Sequence, residues 1–407
     1  ICRKFSIGRS QGGRELWVLL ITDNPDVEED EPEFKYVATM HGDEPIGTEL
    51  CLYFAERLLS GYGNDPAVTE LVDTTSIAIL PLMNPDGMEA GNPDPDNGRR
   101  FLNDGSDANR SFPIYEEDYT GTQFAGEPLH ASGRPAEVRH VMEWIADNSF
   151  VLSANFHTGA VVVNYPYDND GLPSGSDAPT PDDALVEELS LRYAERNLPM
   201  YSDPSFINGI SNGCRWYRIF GGMQDWNYRY AGCIEVTIEL SYNKWPSASE
   251  LPEFWANNEA SMFAYMESVH MGVRGLVQDR HSGAPVYAEV IVKGNTQRAY
   301  TDPNVGDYHR LLLPGSYEIA LDAPGSIPYR FFGVEVHEGA ATRLDVPLSS
   351  GDIEGDGDID AADVQLVINA ALGRPVDYDA DVDGGGGVMA SDVQAVINQV
   401  LGLPVHP

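Results

Sequence analysis

Strand-like apolar runs alternate with helical patterns over the first 270 residues, and this alternation limits the fold more than any other feature. The apolar runs that predict buried strands are residues 34–39, 76–80, 151–156, 161–164 and 234–240. Apolar side chains recur at helical spacing in residues 46–60, 134–147, 183–196 and 251–270. Strands that alternate with helices predict an α/β fold with a mixed, mostly parallel sheet and helices on both faces.

The pattern changes after Gly272. Short strand-like segments, such as residues 274–277, 288–292, 316–321 and 342–347, alternate with turn residues and predict a small all-β sandwich. Beyond residue 351, two copies of an acidic loop followed by an apolar helix form an internal repeat, which predicts a small α module. We therefore expect three domains, at residues 1–271, 272–348 and 349–407.

The net charge of −39 restricts the partners of the chain. Nucleic acids and anionic membranes both require a basic surface, so neither is expected as a partner. No run of 18 apolar residues occurs, and no membrane span is predicted. An acidic surface attracts cationic peptides and divalent cations, although adaptation to high salt is an alternative reason for the charge.

The beginning of the chain and the cysteines bear on its compartment. The first residue is Ile1 rather than Met, and we expect a secreted chain from which a signal peptide has been removed. The four cysteines contain no Cys-x-x-Cys motif, which argues against a thiolate zinc site. Two alternatives remain open, namely free buried thiols or the local disulfides Cys2–Cys51 and Cys214–Cys233.

Two histidines and a carboxylate follow predicted strands. His41 and Glu44 stand in Met-His-Gly-Asp-Glu-Pro after one strand, and His157 stands in Asn-Phe-His-Thr-Gly after another. Open α/β sheets build their sites at the carboxyl ends of the parallel strands. Two histidines and one carboxylate are a three-ligand set for zinc that leaves a fourth position for water.

Seven motifs in residues 1–270 indicate a family. In chain order they are Ser-Ile-Gly-Arg-Ser, Gly-Arg-Glu-Leu-Trp, His-Gly-Asp-Glu, Asn-Pro-Asp-Gly, Asp-Ala-Asn-Arg-Ser-Phe-Pro, Asn-Tyr-Pro-Tyr-Asp and Gly-Gly-Met-Gln-Asp-Trp-Asn-Tyr. Their sequence and order resemble the zinc metallocarboxypeptidases of the carboxypeptidase N/E group. The predicted β-sandwich is similar to the transthyretin-like domain that follows the catalytic domain in that group.

The resemblance implies zinc ligands at His41, Glu44 and His157. It further implies that Glu239, in Thr-Ile-Glu-Leu, is the general base that takes a proton from a zinc-activated water. Glu235 lies four positions earlier on the same strand face and is the competing candidate.

Arg100 matches the family arginine that polarises the scissile carbonyl, with neighbouring Arg99 as the alternative register. Asn109 and Arg110 match the residues that bind the terminal carboxylate of the substrate, for which a guanidinium fork is well suited. Tyr217 matches the mobile tyrosine that closes over the substrate.

One rival candidate and two specificity residues complete the predicted site. Tyr228 is the rival of Tyr217, but its motif matches a structural position. Asp168 and Gln224 match the residues that help the N/E group to select a C-terminal Lys or Arg, because a carboxylate and an amide oxygen accept hydrogen bonds from a cationic side chain.

The C-terminal repeat carries oxygen ligands at the spacing of calcium loops. The candidate calcium ligands of the first loop are Asp352, Glu354, Asp356, Asp358, Asp360 and Asp363. Those of the second loop are Asp381, Asp383 and Asp392, and this loop looks weaker because it lacks two of the carboxylates. The pair resembles a dockerin, whose partner would be a cohesin-type module; the alternative is an acidic flexible tail.

These observations together predict a secreted zinc carboxypeptidase that acts on the C-termini of peptides or proteins and prefers Lys or Arg. The alternatives are a catalytically weak zinc-binding or calcium-dependent adhesion protein, a relative that acts on cell-wall peptides, and a carboxypeptidase of apolar or broad specificity. Five residues expected for catalysis and carboxylate binding argue against the first alternative; they are His41, Glu44, His157, Arg110 and Glu239. The Asn109-Arg110 pair argues against the second, because a site for a terminal carboxylate favours removal of the last residue.

Overall fold

The computed structural model describes residues 1–90, 98–114 and 129–405. These residues form two compact units, Ile1–Val269 and His270–Pro407. The three domains at 1–271, 272–348 and 349–407 stay predictions, because the β-strands and the helical repeat after residue 270 belong to one unit.

An eight-stranded sheet forms the centre of the first unit. Its strands in chain order are β1 Cys2–Arg9, β2 Glu15–Ile21, β3 Glu33–Ala38, β4 Ser76–Leu80, β5 Phe150–His157, β6 Val161–Tyr165, β7 Ile210–Asn212 and β8 Ile234–Leu240. In space they follow the order β1-β2-β4-β3-β5-β8-β6-β7. The central strands β4, β3, β5 and β8 are parallel, whereas β1, β2 and β6 pair antiparallel with β2, β4 and β8 respectively. The predicted mixed, mostly parallel sheet is confirmed.

Helices cover both faces of this sheet. They are Ile46–Gly61, Pro66–Asp73, Pro85–Glu89, Ala136–Ala146, Asp183–Ala194, Leu198–Tyr201, Gly213–Trp216, Met223–Trp226 and Leu251–Glu267. Phe54 of helix Ile46–Gly61 packs edge-to-face against Tyr36 of β3. Val141 of helix Ala136–Ala146 belongs to the same core cluster as Val37, which follows Tyr36 in β3. Because neighbouring residues of a strand point to opposite faces, the two helices lie on opposite sides.

The second unit contains two small sheets and a helical pair. Its strands are β9 Val273–Asp279, β10 Glu289–Val292, β11 Arg298–Tyr300, β12 Asp307–Arg310, β13 Gly315–Asp322, β14 Tyr329–Val336, β15 Thr342–Arg343 and β16 Val346–Leu348. One sheet has the order β11-β10-β13-β14, and the other is built around β9, with β12, β15 and β16 as partners. Helices Ala361–Ala371 and Ala390–Val400 pack on each other through Val367 and Val396, as the internal repeat predicts.

The cysteines are free thiols. Cys2 is exposed, while Cys51, Cys214 and Cys233 are buried. The local disulfide alternative is therefore wrong, and the alternative of free thiols describes the structure. Among the described residues, no helix combines the length and apolar character needed to cross a bilayer.

Candidate active site

Three neighbouring parallel strands bring the predicted zinc ligands and the predicted general base together. His41 and Glu44 follow the end of β3, and His157 is the last residue of β5. Thr39 has a φ of +53° and its hydroxyl donates to the carbonyl of Glu44, so the chain turns sharply after β3 and returns Glu44 to the strand end. In β8, Glu239 lies directly opposite His157. The sheet register thus places all four residues at one edge.

The donor set at this edge fits zinc. Ligand atoms of His41, Glu44 and His157 lie within 4.8 Å of one another, and all three side chains are buried. The two Nδ1 atoms face each other at 3.0 Å, and Glu44 reaches His157 Nδ1 at 2.9 Å and His41 Nδ1 at 3.2 Å. Two imidazole nitrogens and one carboxylate that converge on one point, with one side open to a cavity, suit a catalytic zinc ion.

Asp107 joins the metal group to the predicted catalytic arginine. One carboxylate oxygen accepts from Nε2 of His41 at 3.0 Å, which leaves Nδ1 of that ring free to bind a metal. The other accepts from Nε and Nη2 of Arg100, both at 2.9 Å. Asp107 was not predicted as a site residue, although it opens the Asp-Ala-Asn-Arg motif.

Lys244 is a second residue that the sequence analysis missed. Its Nζ lies 2.7 Å from Oε1 of Glu44 and 3.2 Å from Asp43. The backbone N–H of Thr158 donates to the other oxygen of Glu44 at 3.0 Å. Both contacts fix the orientation of a ligand carboxylate, yet a single lysine after a strand carries no pattern from which this role can be predicted.

The surroundings distinguish Glu239 from its rival Glu235. Glu235 accepts hydrogen bonds from Ser153 at 2.6 Å and Asn155 at 2.9 Å, and Nζ of Lys35 lies 3.6 Å away. Glu239 instead lines the cavity, and its Oε2 has no hydrogen-bond partner among the described residues. Burial and then the charge of Glu44 raise the pKa of Glu239 to about 8. A cation at the metal group would favour the charged form of Glu239.

A cavity of about 210 Å³ connects these groups. Its lining consists of His41, Glu44, Arg100, Asn109, Arg110, His157, Thr158, Gly159, Asn164, Asp168, Trp216, Tyr217, Ile219, Thr237, Glu239 and Lys244. Arg100 belongs to the lining, while its neighbour Arg99 points to Phe101 and Asn103 on the exposed surface. The register with Arg100 is therefore the one that reaches the cavity.

The residues predicted to bind the substrate also lie at the cavity. Asn109 and Arg110 lie in a 3₁₀ turn, Ala108–Arg110, and Oδ1 of Asn109 accepts from the backbone of Met223 at 2.9 Å. Tyr217 also lines the cavity, and 43% of its surface is exposed. Its rival Tyr228 is buried and donates to Asp182, a structural contact.

Asp168 is a buried carboxylate in the cavity wall. Asn164 donates to its Oδ1 at 3.2 Å, and a methyl group on Gly213 would lie 2.0 Å from the same oxygen. Burial and then the charge of Asp225 raise the pKa of Asp168 well above its usual range. Gln224 lies behind Thr237, whose hydroxyl donates to its Oε1 at 2.9 Å, and is not part of the lining.

In the C-terminal repeat, the second loop gathers three carboxylates. Asp381, Asp383 and Asp392 have oxygens within 4.8 Å of one another. The first loop, expected to be the stronger, forms no such group within the described residues. There Asp352 accepts from three loop amides, and Asp363 accepts from the amides of Ile353 and Asp360.

The remaining candidate ligands of the first loop differ in exposure. Glu354 is partly buried, and Asp356, Asp358 and Asp360 are exposed. Asp360 caps the following helix by accepting from Ala362 at 2.6 Å.

Comparisons with known proteins agree with this site. Residues 1–261 match the family model described as zinc carboxypeptidase. Mouse carboxypeptidase M is 42% identical over 362 residues, which cover 85% of this chain and 76% of that protein. Human carboxypeptidase D is 42% identical over 341 residues, which cover 81% of this chain but only 24% of that much longer protein.

A solved structure supports the fold. The carboxypeptidase A of Helicoverpa armigera superimposes with a TM-score of 0.52 at 17% identity, covering 65% of this chain and 68% of that one. At this identity the likeness concerns the fold alone. The family match over residues 1–261 and the identity to carboxypeptidase M, together with a buried donor set that fits the metal, show that this chain belongs to the zinc carboxypeptidase family.

Proposed function

We propose that the chain hydrolyses the last peptide bond of peptides or proteins and releases a C-terminal Lys or Arg. One observation carries the proposal, namely that a single cavity contains the metal group, an available carboxylate and an Asn-Arg pair. The metal group and carboxylate suit hydrolysis of an amide, and the Asn-Arg pair suits a free terminal carboxylate. Such a pair selects the end of a chain over an internal bond.

The roles follow from the contacts. His41, Glu44 and His157 would hold a zinc ion, which would supply a Lewis acid and lower the pKa of a water molecule. Glu239 takes the proton from the attacking water and passes it to the leaving amine, because its Oε2 is not engaged by other side chains of the described structure. Arg100, held by Asp107, points a guanidinium at the developing oxyanion.

Asp168 is the proposed specificity residue. A buried carboxylate whose charged form is disfavoured becomes stable when a cation binds beside it. A Lys or Arg side chain supplies that cation, and Asn164 already donates one hydrogen bond to the carboxylate. An apolar C-terminus would supply no cation, so the charged form of Asp168 would stay disfavoured and would contribute nothing to its binding.

Replacement of Asp168 by Ala tests this specificity. A charge-assisted hydrogen bond contributes roughly 1.5–3 kcal/mol, so the variant is expected to lose about tenfold to hundredfold in kcat/KM for peptides that end in Lys or Arg. Cleavage of peptides that end in Leu is expected to remain. Steady-state kinetics on peptides that differ only in the last residue check both expectations. Asp177→Ala is the control for surface charge, because Asp177 is an exposed carboxylate that pairs with Arg215.

The comparison is made at low and at high salt. Long-range attraction of cations to the acidic surface fades with salt, whereas a contact inside the cavity largely persists. A wild-type preference for apolar C-termini at high salt would refute the basic specificity while leaving the carboxypeptidase activity in place.

We also propose that the C-terminal repeat binds calcium, with Asp381, Asp383 and Asp392 as ligands. Three carboxylates gathered in one loop favour a hard divalent cation. Loops of this kind in extracellular modules bind at about 10⁻⁴–10⁻³ M calcium, which fits a secreted chain. Recovery of the protein from cells rather than medium would contradict secretion. A cohesin-type partner stays a prediction.

A calcium titration by calorimetry tests this second proposal. We expect heat of binding at millimolar calcium and protection of residues 352–402 from proteases, with peptidase activity unchanged. Asp383→Asn is expected to weaken binding, while Asp377→Asn, outside the group, is the matched control. The absence of binding heat in the wild-type protein would leave the repeat as an acidic structural module.

A further inference from the structure

A buried amide, Asn84, ties together two segments of the active site. Its Nδ2 donates to the carbonyl of Met40 at 3.3 Å and to the carbonyl of Arg100 at 3.2 Å. Its Oδ1 accepts from the backbone of Gly87 at 2.8 Å. The side chain is fully buried, so all its hydrogen-bonding capacity is directed to the backbone of the site.

The two carbonyls belong to functional segments. Met40 directly precedes the metal ligand His41, and Arg100 is the proposed oxyanion residue. The backbone of Asn84 also donates to the carbonyl of Thr39 at 3.0 Å. One residue is therefore bonded to the segment that positions the metal and to the segment that positions the guanidinium.

The backbones around Asn84 are in close contact. A methyl group on Gly42 would lie 2.2 Å from the backbone of Gly87, and one on Gly98 would lie 2.1 Å from the carbonyl of Gly42. Arg99 donates to the carbonyl of Gly87 at 2.8 Å. Such contacts leave little room for the segments to shift, and the Asn84 amide bonds to a backbone carbonyl of each segment.

We propose that Asn84 is a positioning residue that sets the backbone of Arg100 relative to the metal group. Asp107 holds the guanidinium of Arg100, whereas Asn84 holds its main chain. The inference rests on the proposed role of Arg100. A small displacement of a group that acts only in the transition state lowers kcat more than it changes KM.

A double-mutant cycle tests the inference on the zinc-loaded chain. Asn84→Ala is expected to lower kcat about 10- to 100-fold with a small change in KM. In the Arg100→Gln background, the same substitution is expected to lower kcat less than about threefold, because residues that act through each other are not additive. Zinc content and thermal unfolding are measured for every variant.

The outcomes separate the two hypotheses. If Arg100→Gln alone leaves kcat unchanged, the proposed role of Arg100 fails, and the inference fails with it. If Arg100→Gln lowers kcat but Asn84→Ala acts equally in both backgrounds, only the inference is overturned. The control is Asn258→Ala, because Asn258 is a similarly buried amide with three hydrogen bonds and is not part of the cavity lining. Asn84→Ser, which retains one shorter donor, replaces Asn84→Ala if that variant does not fold.

Discussion

Replacement of Glu239 by Gln is expected to lower kcat by about 10²–10⁴-fold while zinc remains bound. The amide has nearly the same shape as the carboxylate but cannot take a proton from water. Glu239 is not among the metal ligands, and its Oε2 has no hydrogen-bond partner among the described side chains, so its loss should leave the metal group intact. Steady-state kinetics and zinc analysis of the same preparation check the result.

The matched control is Glu137→Gln. Glu137 is also a buried carboxylate in the first unit, but it accepts from the backbone of Gln11 and does not line the cavity. Its substitution is expected to leave kcat within a few-fold of wild type. Full turnover by a zinc-loaded Glu239→Gln variant would remove Glu239 from the role of general base.

Replacement of His157 by Ala is expected to reduce zinc content and peptidase activity together, to near background. Only two of the three ligands, His41 and Glu44, would remain. Catalytic zinc sites use three protein ligands, so the affinity for zinc should fall. The control His140→Ala removes a partly buried histidine that contacts Glu143 in a helix and does not line the cavity, and it should change neither quantity. Zinc retention with full activity in His157→Ala would show that the metal binds elsewhere.

The central sheet was predictable because its strands are buried on both faces. Strand β4, Ser76–Leu80, and strand β8, Ile234–Leu240, have the predicted bounds. Strand β4 is an apolar run after Ser76, whereas β8 alternates apolar residues with Glu and Thr, and both patterns mark strands. The edge strand β1 was missed because it is mostly exposed and carries Arg3 and Lys4 instead of an apolar run. Strand β2 did carry a signal, since buried Leu16 and Val18 flank the exposed Trp17.

The ligand set could be inferred for a related reason. His41, Glu44 and His157 follow strands that the apolar pattern identifies, and parallel strands deliver their ends to one edge. Asp107 and Lys244 were missed because their roles depend on contacts between distant parts of the chain. Spacing along the sequence contains no information about such contacts. It also does not indicate which of the two acidic loops of the C-terminal repeat brings its carboxylates close together.

The most direct test of the central claim uses one peptide in two forms. The chain is incubated with a peptide that ends in Arg with a free carboxylate, and separately with the same peptide carrying a C-terminal amide. The masses of the products are measured by mass spectrometry. We predict that only the free acid loses its last residue, because Asn109 and Arg110 line the cavity beside the metal group. A zinc chelator is expected to stop the reaction, and added zinc is expected to restore it. Equal cleavage of the amidated peptide, or cleavage at an internal bond, would contradict it.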